Sequence, residues 1–144
     1  MTIQEEENKI IEEFSIFEDW MDKYNYIIEL GNALPIMDEK YKQENYLIAG
    51  CQSNVWLQAE LIDGKIYFKA DSDAIITKGI ISLLIRVLSG RTPDEIINAS
   101  LSFLNIIGLT QHLTPTRSNG LLSMIKQIKV YAMAFKTKVN QNDR

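Results

Sequence analysis

A single cysteine, Cys51, stands in a chain of 144 residues. That excludes an internal disulfide framework and any Cys-rich zinc or iron–sulfur site held by this chain alone. The lone thiol suits a reducing compartment. Histidine is equally scarce, with His112 the one imidazole. The N-terminus reads MTIQEEENK, acidic where a signal peptide needs basic charge followed by an apolar run. Long hydrophobic runs are missing too. The most apolar stretch, Ala74 to Leu88, carries Lys78 and Arg86 and falls short of the roughly 20 apolar residues that a membrane span needs. There is no Gly-rich phosphate loop, dinucleotide fingerprint or zinc spacing. These absences predict a soluble, cytoplasmic protein without a membrane partner.

What is present is globular. Hydrophobic residues make up 46% and charged residues 24%, with 7 Gly and 3 Pro, which excludes collagen-like, coiled-coil and wholly disordered chains. The length fits one domain over residues 1–144, able to hold a core without disulfides or metal. A net charge of −4 argues against general nucleic-acid binding. Trp56, Tyr67 and the other aromatics lack the interleaved bases of a stacking platform. Charge is nevertheless segregated. Residues 1–22 hold eight acids against Lys9, and residues 117–144 hold six bases against Asp143. Each set reads as a solvated helix face, and the sharper alternative is a patch that steers a protein partner.

Along the chain, Ile3 to Glu13 reads as a first helix with Ile3, Ile10, Ile11 and Phe14 on its apolar side. Ser15 and Glu18 form a capping box for a second, running to about Leu30, with Gly31 as a left-handed C-cap before Pro35. The period then changes. Val55, Leu57, Ala59 and Leu61 alternate with polar or exposed positions, Asp63-Gly64 is the favoured pair of a type I′ turn, and Lys65 to Ala70 alternates back. Tyr46 to Ala49 is the expected third strand, because a lone hairpin is marginal.

Asp73 is a plausible N-cap for the buried helix Ala74–Leu88, where Gly79 implies a close approach to another element. Thr92-Pro93-Asp94-Glu95 starts a further helix, which continues in short pieces to about Ile107. Thr114 to Asn119 reads as a turn and Gly120 to Lys138 as a last helix, with Leu121, Met124, Ile125, Ile128, Ala132 and Phe135 buried. Helices, then antiparallel strands, then helices make the fold class α+β.

Chemistry centres on Ala49-Gly50-Cys51-Gln52-Ser53, a loop between strand and hairpin. A nucleophilic cysteine must be a thiolate, and no cation neighbours Cys51 in sequence, so activation has to come through the fold. His112 could complete a thiol–imidazole dyad, which makes a Cys51/His112 hydrolase or transferase the alternative reading. Asp71-Ser72-Asp73 offers two carboxylates with no resemblance to a Ca²⁺ loop. Arg117, at a helix start where the dipole disfavours it, implies a carboxylate or a partner.

Gly50-Cys51-Gln52-Ser53-Asn54-Val55-Trp56, Asp71-Ser72-Asp73-Ala74 with Lys78-Gly79, and Leu113-Thr114-Pro115-Thr116-Arg117-Ser118-Asn119-Gly120 together resemble the SufE family of sulfur-acceptor proteins. Tyr24 to Pro35 is similar to that family's second helix and its exit, and the resemblance covers about residues 10–138. It implies a small three-stranded antiparallel sheet flanked by helices, similar to iron–sulfur scaffold proteins of the IscU type.

It further implies a non-catalytic, partner-dependent carrier for iron–sulfur cluster assembly. By the resemblance Cys51 accepts persulfide sulfur from a pyridoxal-phosphate cysteine desulfurase of the SufS type, stimulating it, and passes the sulfur to a scaffold complex of the SufBCD type. Gly50, Gln52, Ser53, Asp73 and Arg117 become loop, pocket or docking residues, with Asp73 helping to hold a resting loop. His112 matches the family's Gln-His-Leu-Thr-Pro stretch. The chain itself is expected to bind no cofactor or metal, and a homodimer is the family expectation. A cluster or metal scaffold, suggested by fold similarity alone, would want several Cys ligands.

Overall fold

The alternation on either side of Asp63-Gly64 forms a hairpin in the computed structural model, which describes residues 1–142. β1 (Val55–Ile62) pairs antiparallel with β2 (Lys65–Ser72), Val55 opposite Ser72 and Ile62 opposite Lys65. Asp63 at φ 50° and Gly64 at φ 81° are the two left-handed residues of the type I′ turn, whose twist matches that of the strands. Val55, Leu57, Ile66, Phe68 and Ala70 turn one face of the hairpin into the core.

The third strand expected over Tyr46–Ala49 is absent: the sheet among the described residues has two strands. That segment contributes a single bridge, Leu47 opposite Trp56, with the Ile48 amide donating to the Val55 carbonyl at 2.9 Å. A 3-10 turn at Glu44–Tyr46 occupies the residues before it, and Gly50 at φ 91° bends the chain away just after. The opposite edge is covered similarly, by Ile66 donating to the Arg91 carbonyl at 2.8 Å and Gly90 donating to that of Ile66 at 2.7 Å. Helices, not further strands, therefore stabilise the hairpin.

α1 (Ile3–Ser15) buries Ile10 and Phe14, and α2 (Trp20–Asn32) follows after a short turn. Ser15 does not cap α2. It lies in the last turn of α1, whereas an N-cap needs extended backbone. Asp19 has that backbone and accepts from the Met21 amide at 3.0 Å. Gly31 is likewise inside α2 and is no C-cap. A Cβ on it would stand 2.6 Å from the Gly79 nitrogen, and one on Gly79 would stand 2.2 Å from the Ile27 carbonyl oxygen. The two glycines let α2 lie backbone to backbone on α3 (Ile75–Leu88), the buried central helix, so Gly79 is placed as its sequence context predicts.

α4 (Pro93–Asn98) carries the expected Thr92–Glu95 capping box, and α5 (Phe103–Ile106) and α6 (Leu109–His112) follow. α7 (Pro115–Asn142) begins earlier than its composition suggests. Thr114 to Asn119 is not a free turn, because Pro115 suits the first helical position and Thr114 Oγ1 accepts from the Arg117 amide at 3.3 Å. Leu121, Met124, Ile128 and Ala132 are buried, while Ile125 and Phe135 are half-buried. Asp143 and Arg144, part of the basic tail in the charge pattern, lie outside the described residues. No helix of the described residues is long and apolar enough to cross a membrane.

One ionic knot pins α1 to the rest. Arg86 donates to Glu6 Oε1 at 2.7 Å and to the two oxygens of Glu13 at 2.9 and 2.5 Å, and Tyr26 donates to Glu13 Oε1 at 2.5 Å. The Arg86 hydrogen bond holds the Glu13 carboxyl below its usual range, and burial with the Glu13 contact pushes the Tyr26 hydroxyl up to about 12. Arg86→Ala is expected to cost about 2–3 kcal/mol by leaving Glu13 half-paired. A lowered carboxyl stabilises above its unfolded pKa and loses that contribution as pH falls. The deficit, read by urea melts at pH 7 and pH 3, should therefore shrink in acid.

Candidate functional site

The Cys51 loop is held at both ends. At the front, Gly50 takes φ 91°, and a Cβ there would meet Ser123 Oγ of α7 at 2.3 Å, so this corner requires glycine on two counts. At the back, Asn54 is tied to the end of β2. Its backbone amide donates to Asp73 at 3.0 Å, its side-chain amide donates to the same carboxylate at 2.9 Å, and its carbonyl accepts from Ser72 Oγ at 2.8 Å. Asp73 is therefore a loop tether and not the N-cap of α3, whose cap position is Ala74 without a side-chain bond. The strand must turn into the helix here, which aims the carboxylate back at Asn54.

Between these anchors Cys51 is half-buried, and its thiol donates to the Gly120 carbonyl at 3.6 Å. The thiol packs closely on this helix backbone: a Cβ on Gly120 would make ordinary contact with Sγ at 3.7 Å. The thiol borders a cavity of about 130 Å³. Gln52 and Ser53 line it from the loop, Ile76 and Thr77 from the first turn of α3, and Thr116 and Arg117 from the first turn of α7. Two helix starts and a guanidinium thus rim the space beside the sulfur. Arg117 is exposed there, its guanidinium carbon 5.9 Å from the Tyr24 ring centre.

Burial pushes the Cys51 thiol above its ordinary value, so at neutral pH the resting group is the neutral S–H. Alkylation by iodoacetamide is expected to be slow at pH 7 and to rise about tenfold per pH unit until it passes the ordinary thiol range. A midpoint at or below that of an unstructured Cys peptide would contradict the geometry. The raised value also means that the resting loop is stabilised by the proton and weakens as pH climbs through it.

His112 is not brought to Cys51. Its Nδ1–H donates to the Gly108 carbonyl at 2.7 Å, its ring stacks on Trp20 at 4.3 Å, and it does not line the cavity. The ring pins α6 onto α2. Asp71 also points elsewhere, pairing with Lys42 at 3.0 Å and Lys78 at 3.4 Å. Sequence reasoning gave no role to Asn54 as an anchor, to Ser123, or to Gly120 as the thiol's acceptor. Asn54 and Gly120 stand within the quoted motifs, so their positions were visible although their contacts were not. Nothing local marks Ser123.

The family model described as "SufE: Fe-S metabolism associated domain" matches residues 8–132. Among solved structures, a hypothetical protein from Thermus thermophilus, determined in solution, is similar with a TM-score of 0.74. The two share 19% identity, over 92% of this chain and 96% of that one, which speaks to the fold.

Proposed function

The chain belongs to the SufE family, and from that premise we propose that it carries sulfur for iron–sulfur cluster assembly on Cys51. The observation that carries the reading is the placement of the chain's one thiol, on a loop anchored at both ends, against a cavity with room beside the sulfur. The donor is the persulfide of a pyridoxal-phosphate cysteine desulfurase. The Cys51 thiolate attacks its terminal sulfur, an S–S bond forms at Cys51, the donor's S–S bond breaks, and the donor cysteine leaves as thiolate. The sulfane sulfur keeps its oxidation state, so no oxidant is needed. The receiving cysteine of a scaffold complex repeats the exchange. The chain supplies a nucleophile and a docking surface and turns nothing over alone.

The resting geometry supports a transfer that depends on a partner. A half-buried neutral thiol donating to a helix carbonyl is a poor nucleophile. Docking that draws the loop outward breaks one weak S–H···O contact and exposes a half-buried side chain, about 1–2 kcal/mol in all. Gly50 and Asn54 are the fixed points about which residues 51–53 move. Gln52, Ser53 and Arg117 then face the partner at the cavity rim. A thiol hydrolase or transferase using Cys51 and His112 has less support, since each side chain is engaged with a different carbonyl.

The test is the intact mass of the protein after incubation with an active desulfurase, pyridoxal phosphate and L-cysteine. An adduct of about 32 Da, removed by a reducing thiol, is expected. An unchanged mass and an unchanged desulfurase rate would overturn the reading.

A further inference from the structure

We propose that the groove between the start of α1 and the end of α4 binds a primary alkylammonium group, with the Glu7 carboxylate as its counter-ion. Glu7 occupies the buried stripe of α1, spaced with Ile3, Ile10 and Phe14 at intervals of three and four residues, where packing calls for an apolar side chain. It is only 3% exposed, and its Oε1 is the one buried side-chain oxygen or nitrogen among the described residues with no hydrogen-bond partner. The other buried polar side chain, Ser82, donates to the Gly79 carbonyl at 2.6 Å. Buried carboxylates are ordinarily paired, so this one is short of a donor.

Three cations of the surrounding elements are committed elsewhere, and Lys65 and Arg91 act electrostatically on Glu95 rather than on Glu7. Lys129 donates to the carbonyls of Ile97 at 3.2 Å and Ala99 at 2.8 Å, and Arg91 donates to the carbonyls of Val87 at 3.0 Å and Met1. Arg86 is taken up by Glu6 and Glu13. Burial alone is the cause that pushes the Glu7 carboxyl above its usual range, as expected where no positive group stands close.

The groove has the chemistry that an ammonium needs. Its volume is about 350 Å³, far more than a water molecule or bare metal ion fills. Glu7 and Glu95 line it with carboxylates, Gln4 and Asn98 with amides, and Thr2 and Ser100 with hydroxyl side chains, of which Thr2 Oγ1 already serves Glu5. An ammonium has three donors and no acceptor, and this set answers it with acceptors on both walls. Ile3 and Ala99 line the same groove and offer contact to the alkyl stem. Glu95 holds one oxygen on the Thr92 amide at 3.1 Å in the capping box, so it contributes charge beside the Glu7 carboxylate.

The experiment is a titration of the ¹⁵N-labelled full chain with n-butylammonium chloride, with tetramethylammonium chloride at equal ionic strength as a cation that cannot donate. Saturable amide shifts at Gln4, Glu7, Asn98 and Ser100 are expected with the first and not the second. Glu7→Gln should weaken the binding by about tenfold or more, the loss of one charge-assisted hydrogen bond. Glu95→Gln, which preserves the capping box, should weaken it severalfold and decides the matter if Glu7→Gln does not fold. Equal shifts with tetramethylammonium, no saturation, or unchanged affinity in the variant that folds would each overturn the proposal. A parallel titration with Nα-acetyl-L-lysine methylamide separates the sources. Binding comparable to butylammonium points to a protein lysine, and binding of the simple amine alone points to a free small amine. None of these readouts depends on sulfur transfer.

Discussion

Cys51→Ser is expected to take up no sulfur from a loaded desulfurase and to return that enzyme to its unassisted rate, a complete loss where wild type gains the persulfide. The substitution is close to silent in the fold. Serine keeps a donor for the Gly120 carbonyl, and the half-buried site loses only the larger sulfur. Melting temperatures of the two proteins should therefore agree within a few degrees, which separates lost chemistry from lost structure. The chemistry itself cannot survive. A serine hydroxyl is not appreciably ionised near neutral pH without a base, and His112 is held on Gly108 and Trp20. A Cys51→Ser protein that still carried labile sulfur would remove Cys51 as the acceptor, since no other thiol exists in the chain. One that carried none yet stimulated the desulfurase fully would separate docking from acceptance and refute acceptance as the cause of stimulation.

The second large effect is in the helix crossing. Gly79→Ala should destabilise the protein by roughly 3–5 kcal/mol, lowering the melting temperature by about 10–15 °C. Helix propensity alone argues the other way, because alanine is favoured over glycine in a helix interior by about 1 kcal/mol. Contact decides the sign. The added methyl would sit 2.2 Å from the Ile27 carbonyl oxygen and 2.6 Å from an Ile27 methyl, and the first of these is backbone that cannot rotate aside. α2 and α3 would have to part, and Gly31, pressed on Gly79 from the other side, would lose its fit as well. Gly64→Ala is the control. Gly64 has φ 81° but nothing within 4 Å of the added carbon, so it should cost only about 1 kcal/mol of backbone strain. Equal losses in the two variants would show that the helix crossing relaxes around the added methyl and that crowding does not make Gly79 necessary.

Much of this protein is written in short stretches of chain. Alternation around Asp63-Gly64 is enough for a hairpin, because a type I′ turn and a period of two need no distant residue. Thr92 to Glu95 specify their capping box for the same reason. Cys51 was legible as the candidate nucleophile from its solitude and its loop, and the surrounding motifs pointed to the family. What local chemistry could not rank was competition between neighbouring signals. Ser15 and Asp19 are both good caps, and the choice fell to Asp19 because α1 runs on through Ser15. Gly31 looks like a helix end until α3 is laid against it, when its missing Cβ becomes a crossing point. Asp73 looks like a cap until the strand delivers it to Asn54, and the thiol's acceptor lies 69 residues away on α7. Contacts of that span depend on how helices pack around the hairpin, a sum over many side chains that no window of sequence contains.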